Sequence, residues 1–395
     1  MFIFRPRPIS LFFLIGSLIP HIVSAENIWV PSWISAQQPV ETNNVPPAPG
    51  LSGRILRQEV QLSIGGDALR ITFSNAFGNE PLGITSASVA PSTGEGGMRA
   101  GSIRSLSFGG YAGFRISPGE TVTSDPVNLP ATALERLVVS LHINQVPAVL
   151  TGHPGSRTTS FIADEQSGHM PACPTDAVRV THWYFLSGVE TSTTGKPHAV
   201  VILGDSIADG RGSTTDAHNR WPDHLARRLA EKSPCLAVLN QGIGGNRVLR
   251  DGLGPTALAR LERDILSVPR VRWLILHEGV NDLGADVAAE ELIATYKEII
   301  RRTRERSIRI IGATIMPFAG SFYDKPERER ERQTVNRWIR DSGEFDGVID
   351  FDAISRDPET PARLAAGFDG GDHLHPSAEG YRRMAESINL SIFTD

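Results

Sequence analysis

The chain has 395 residues, of which 40% are hydrophobic and 21% charged, and a formal net charge of -5. That is long for a single core, so two domains are expected. The mild acidity, with no basic stripe interleaved with aromatics, argues against a nucleic-acid partner.

Residues 1–25 read as an export signal. Arg5 and Arg7 give a positive start, Ile9 to Ile19 is apolar, and Val23-Ser24-Ala25 is a small-residue cleavage pattern. The apolar run is short and Pro20-His21 interrupts it, so a membrane anchor is disfavoured. No later segment is apolar enough to span a bilayer. The expectation is a secreted or periplasmic protein without stable membrane insertion. Cys173 and Cys235 are the only cysteines. In an exported chain they could form one disulfide, and two free thiols are an equally open alternative.

Residues 26–195 are written in β grammar. Val60–Ile64, Leu69–Phe73 and Leu137–Ile143 alternate or are β-branched, and Gly65-Gly66, Asn79-Glu-Pro81 and Pro118-Gly119 punctuate them. Frequent short strands between turns predict an all-β sandwich or jelly roll. Ser192 to Pro197 reads as a linker. From 198 to 395 the pattern changes. Strand-like runs at Ala199–Leu203, Leu236–Asn240, Val271–His277, Ile308–Ile315 and Gly347–Phe351 alternate with helical patterns. The helices are expected at Trp221–Lys232, Pro255–Leu266, Ala288–Arg306, Glu327–Arg340 and Ser377–Ile392. Such alternation predicts an α/β domain, a parallel sheet covered by helices on both faces. The run Glu327-Arg-Glu-Arg-Glu-Arg332 is expected to be a solvated helix face carrying ion pairs.

Four segments of the second half carry residues suited to chemistry. Ala199 to Ile207 is an apolar strand ending in Gly204-Asp205-Ser206, which presents a hydroxyl at a strand's carboxyl end, where open α/β sheets place ligands. A serine nucleophile needs a base, and the base needs a group that fixes its tautomer. Asp372 and His375, three apart, can supply both, with His375 as general base and acid and Asp372 orienting it. A metal reading of Asp372, His373 and His375 lacks a matching cluster elsewhere, and no cofactor is expected. Asn240 to Asn246 is glycine-rich directly after a strand, so backbone amides can face a substrate and serve an oxyanion hole. A dinucleotide reading fails, because the third glycine would fall on Arg247. Gly279 to Asp282 ends another strand, where the Asn281 amide can donate to an oxyanion; Asp282 reads as structural, holding the loop.

These blocks resemble the SGNH superfamily of GDSL-type esterases and lipases: Gly204-Asp-Ser-Ile207, Gly245, Gly279-x-Asn281-Asp282 and Asp372-x-x-His375 occur in order over residues 198–395. The resemblance implies a flavodoxin-like three-layer sheet and a Ser206–His375–Asp372 triad. It also implies an oxyanion hole from the Ser206 amide, a glycine amide and the Asn281 side chain. Two departures stand out. Position 207 is Ile in place of Leu. Gly244 and Gly245 are adjacent, and Gly245 is preferred for its distance from Asn240. The first half is similar to the β-rich domain that precedes some secreted members, including carbohydrate deacetylases, in phrases such as Ser74-Asn-Ala-Phe-Gly78 and Phe108-Gly-Gly110.

The function so implied is hydrolysis of short acyl esters, with a small ester or an acylated polysaccharide as substrate. A lipase or lysophospholipase is the alternative within the class, and a glycan-binding or adhesion protein acting through the β domain is the alternative outside it. His218 is expected in a surface loop or at the pocket mouth, His224 on a helix face, and His277 satisfied in the core. Trp29, Trp33, Trp183 and Trp221 are expected to be core residues, with Trp221 the one placed to reach a sugar.

Overall fold

The structure is a computed structural model and describes residues 1–3, 28–167 and 170–394. Apart from its first three residues, the expected signal segment lies outside the described residues. The first half is all β. Its main strands are β1 (Ile28–Ile34), β2 (Arg54–Gln61), β3 (Ala68–Ser74), β4 (Leu82–Gly94), β5 (Arg136–Gln145), β6 (Ser160–Asp164) and β7 (Leu186–Thr193). One antiparallel sheet runs β1-β7-β3 and then the short strand Thr121–Thr123. A second is built on β6-β2-β5-β4. Alternation explains how they pack. Leu137, Val139, Leu141 and Ile143 of β5 enter one core with Leu69, Ile71 and Phe73 of β3 and Val189 of β7. The opposite-facing Val138 joins a small cluster with Ala90 and Met98.

The second half runs β8 (His198–Gly204), α1 (Ser206–Asp209), α2 (Trp221–Lys232), β9 (Leu236–Gly242), α3 (Ala257–Leu261), β10 (Val271–His277), α4 (Val280–Leu283), α5 (Ala289–Glu305), β11 (Arg309–Ala313), α6 (Pro326–Asp341), β12 (Gly347–Ile349), α7 (Phe351–Ser355) and α8 (Ala378–Ser387). Its five strands are parallel in the order β9-β8-β10-β11-β12. That is the flavodoxin-like order, in which ligands bind where the strand order reverses, here beside the carboxyl end of β8. Ala199 to Leu203 are fully buried, as a strand covered on both faces requires. Helices α2 and α8 pack together, as do α5 and α6.

Three expectations change. The last helix stops at Ser387 and not at Ile392, with a separate 3-10 turn at Leu390–Phe393. Ile388 is extended and the Asn389 side chain accepts from Ser391 N–H, so a local cap competes with helix continuation. The charged run on α6 is not wholly solvated. Arg332 is completely buried and donates to Ile315 O, Glu329 and Asp352. The helix face that looked polar therefore turns one guanidinium inward onto the sheet's edge. The expected linker is a junction only: β7 ends at Thr193 and β8 begins at His198.

The halves are packed against each other. Val30 of β1 and Ile64 belong to the core of the second half. Trp183 is buried with its Nε1–H on Glu59 O (3.0 Å), Trp33 edge-on and the Arg220 guanidinium 5.9 Å from its ring centre.

Candidate active site

Gly204 ends β8 where only a glycine fits: a Cβ there would lie 2.4 Å from Ala208 Cβ. Asp205 caps α1, its Oδ1 accepting from Ile207 N–H at 2.8 Å. Ser206 is therefore the first helical residue, and its own N–H has no partner within the helix. Its Oγ lies 2.8 Å from His375 Nε2. His375 Nδ1 lies 2.7 Å from Asp372 Oδ2, while Asp372 Oδ1 accepts the N–H groups of His375 (2.8 Å) and Leu374 (3.1 Å). A carboxylate on Nδ1 fixes the proton there and leaves Nε2 as the acceptor facing the hydroxyl.

Burial pushes the His375 imidazole below its ordinary value, against the opposing pull of Asp372; the charges of Arg211 and Arg157 push the same way as burial. Burial alone would raise Asp372, but its hydrogen bonds from His375 and Leu374 outweigh that and hold it below the usual carboxylate range. His373 does not join this group: its ring turns to Asp369 Oδ2 at 2.5 Å. Among the described residues, no cluster of three or more His, Cys, Asp or Glu is disposed to hold a metal ion.

Asn281 sits in α4, entered through Gly279 at φ +111°. Its Nδ2 donates to Asn246 O at 2.8 Å, and Tyr323 O–H donates to its Oδ1 at 3.0 Å. The amide is held from both ends, with one Nδ2 hydrogen left over. Gly244 and Gly245 line the same cleft as Ser206, Asn281 and His375. Gly245 takes φ +71°, a left-handed conformation that a side chain disfavours. Asp282 is structural as expected, its carboxylate accepting from Val248 N–H (2.9 Å) and Leu249 N–H (3.1 Å).

Beneath these loops lies a residue the sequence reading passed over. Arg260, fully buried, donates to Gly204 O (3.1 Å), Gln241 O (2.7 Å), Asn246 Oδ1 (2.9 Å), Asp264 (3.2 Å) and Glu278 (3.3 Å). One guanidinium thus ties the ends of β8, β9 and β10 together. Burial drives both Asp205 and Glu278 above the ordinary carboxylate range.

The cleft over Ser206 measures about 410 Å³ and is walled by both halves. The β half contributes Gln38, Glu41, Asn44, Arg157 and His182, which long-range folding alone brings there. A buried contact locks this wall: His153 Nε2 lies 2.9 Å from Asp209 Oδ1, and His153 Nδ1 lies 2.8 Å from Ala36 O.

The aromatic at the rim is Phe322, 70% exposed, and not a tryptophan. Trp221 is fully buried against His277 and Phe351. Trp33 and Trp183 are buried too. His218 is neither at the surface nor in the cleft. It is buried with Nε2 at 3.3 Å from Glu59, across the junction of the halves. His277 is a core residue whose Nδ1 has no hydrogen-bond partner among the described residues; burial lowers its imidazole to about 3. Both cysteines are free thiols, Cys235 exposed and Cys173 half-buried.

Sheet order and sequence together define the class. Residues 202–383 match the model of the GDSL-like lipase/acylhydrolase family, so this half carries a GDSL-like acylhydrolase domain. Solved structures similar to the chain include three esterase-type proteins. One is described as lipolytic and of the G-D-S-L family, from Desulfitobacterium hafniense DCB-2 (22% identity, TM-score 0.39, 48% of this chain and 96% of that one). Another is an acetyl xylan esterase (19%, TM-score 0.38, 48% and 96%). The third is a carbohydrate acetylesterase from Sinorhizobium meliloti (16%, TM-score 0.39, 48% and 95%). No curated protein matches the chain. Among the described residues no helix is long and apolar enough to cross a membrane.

Proposed function

We propose that the protein hydrolyses short acyl esters, chiefly acetyl esters of carbohydrate, through an acyl-enzyme on Ser206. The observation that carries this reading is the relay Ser206–His375–Asp372, with spacings of 2.8 and 2.7 Å, opening on a cleft that both halves line. His375 Nε2 takes the Ser206 proton as Oγ attacks the ester carbonyl. The oxyanion is received by the Ser206 and Gly245 amides and the Asn281 side chain. His375 then protonates the leaving alcohol, and afterwards deprotonates the water that releases the acid. Asp372 stays ionised and holds the imidazole.

The carbohydrate assignment is supported by the lining. Gln38, Glu41 and Asn44 offer hydroxyl-binding groups and Phe322 an exposed ring. In this reading residues 1–25 direct export, 26–195 form the β domain that walls the cleft, and 198–395 carry the chemistry. The test is Ser206→Ala with p-nitrophenyl acetate. Turnover is expected to vanish while the thermal midpoint stays put, and retained turnover overturns the nucleophile. A p-nitrophenyl ester series should favour acetyl; a preference for long chains overturns the substrate class in favour of a lipase.

A further inference from the structure

Two guanidiniums flank the Ser206–His375 pair: Arg211 has no ion-pair partner among the described residues, and Arg157 shares its one carboxylate, Asp209, with His153. Arg211 follows α1, and its peptide is pinned by its N–H on Ser206 O (2.9 Å) and by Tyr381 O–H on its carbonyl (2.6 Å). Its side chain is exposed, lines the cleft, and has no ion pair or hydrogen bond among the described residues. Arg157 comes from the β half. Its Nη2 reaches Asp209 Oδ2 at 3.4 Å, and its buried Nε has no hydrogen-bond partner among the described residues. The same carboxylate, through Oδ1, already accepts from His153.

The position of Arg157 is built and not incidental. Its backbone is held at φ +52°, a conformation that costs a non-glycine residue energy and persists only where neighbours impose it. Asp216 imposes it from the catalytic half: its N–H donates to Arg157 O (3.0 Å), and its carboxylate accepts from Thr159 N–H (2.6 Å) and Thr159 Oγ1 (2.7 Å). The fold thus strains one loop of the β half and ties it across the junction, and the Arg157 side chain lines the cleft that holds Ser206.

The acid in the cleft wall is differently disposed. Glu41 has one oxygen on the Gln38 amide (2.5 Å) and the other on the Asn44 amide (2.9 Å), forming a ledge of acid and amides suited to hydroxyls. The cleft therefore offers a hydroxyl-binding ledge and a pair of guanidinium forks, the group best matched to a planar carboxylate.

We propose that the site selects esters of acidic saccharides, with a sugar carboxylate held by Arg157 and Arg211 and sugar hydroxyls held by Gln38, Glu41 and Asn44. This rests on the esterase reading above and deepens it. Arg211 and Arg157 are binding residues in this scheme, and the acyl transfer is the one already described. A side effect follows: both cations also favour the neutral imidazole of His375.

The experiment compares kcat/KM of the full chain on acetylated galacturonate oligosaccharides, on the same oligosaccharides with their carboxylates methyl-esterified, and on acetylated xylo-oligosaccharides. The free acid is expected to be preferred about tenfold or more, with a KM that rises with ionic strength. Arg211→Gln, at an exposed position, should fold normally, collapse that preference to about unity, and shift the acidic limb of the pH profile upward. Arg157→Gln should act in the same direction, but its tie to Asp209 makes the Arg211 variant the decisive one. Equal rates on acidic and methyl-esterified substrates overturn the inference while leaving the esterase reading intact. Loss of all ester hydrolysis in the wild type, including p-nitrophenyl acetate, overturns the esterase reading itself.

Discussion

The held amide of Asn281 makes a graded prediction. Its Nδ2 has two hydrogens, and one is committed to Asn246 O at 2.8 Å. The other is available to an oxyanion formed beside Ser206. Tyr323 O–H on Oδ1, at 3.0 Å, keeps the amide from flipping its oxygen toward the cleft. Asn281→Ala removes the donor outright, and a single oxyanion donor contributes about 3 kcal/mol to the barrier, or about 150-fold in kcat. Tyr323→Phe leaves the donor and removes only its restraint, a neutral hydrogen bond worth about 1 kcal/mol, or about fivefold. Asn281→Asp keeps the shape but sets an oxygen against the Asn246 carbonyl or against the oxyanion, so it should be no better than alanine. The assay is steady-state hydrolysis of p-nitrophenyl acetate, with kcat and KM separated and thermal midpoints measured beside it. Both effects belong in kcat, since the developing charge exists only in the transition state. An Asn281→Ala enzyme within about threefold of wild-type kcat refutes the assignment. A Tyr323→Phe loss confined to KM refutes the positioning role.

Three further outcomes are expected. Only neutral His375 can accept the Ser206 proton, and its imidazole lies below the ordinary value; kcat/KM on a neutral ester should therefore rise to half-maximum below pH of about 6.5, and a midpoint at or above about 7 contradicts this. Arg260→Met should cost about 3–5 kcal/mol in urea unfolding, because Glu278 and Asp264 lose a buried partner and Gly204 O and Gln241 O lose a donor; a change below about 1 kcal/mol means the network is not what holds the three strand ends. Gly242→Ala places a Cβ 2.4 Å from Asp209 N, a backbone atom that cannot swing aside, so it should displace α1 and lower both stability and turnover; an unaltered thermal midpoint and rate would show that the loop yields freely.

What sequence could and could not disclose divides along local and non-local lines. Gly204, Asp205 and Ser206 form a turn whose chemistry is written in adjacent residues, and Asp372 reaches His375 within one loop; such features survive reading a chain one window at a time. The inner strands of the parallel sheet are legible for the same reason, since a strand buried on both faces needs a continuous apolar run, whereas the edge strand Gly347–Ile349 leaves Val348 exposed. The expected long C-terminal helix failed on a local detail, the Asn389 cap, that competes only weakly until the end of α8 is satisfied by Arg228 donating to Ala385 O and Ile388 O. Arg260 and Arg332 failed for a different reason. On a helix each looks like an ordinary i,i+3 or i,i+4 partner, with Asp264 and Glu329, and nothing nearby in sequence says that the sheet's strand ends lie behind it. The β half shows the same limit at larger scale. Its strands could be counted from turn signals, but that Arg157 and Glu41 stand beside a serine in the other half depends on contacts such as His153 with Asp209 and Glu59 with His218, which no periodicity encodes. The candidate catalytic residues are therefore local and readable, whereas the cleft wall contributed by the β half is assembled only by the tertiary fold.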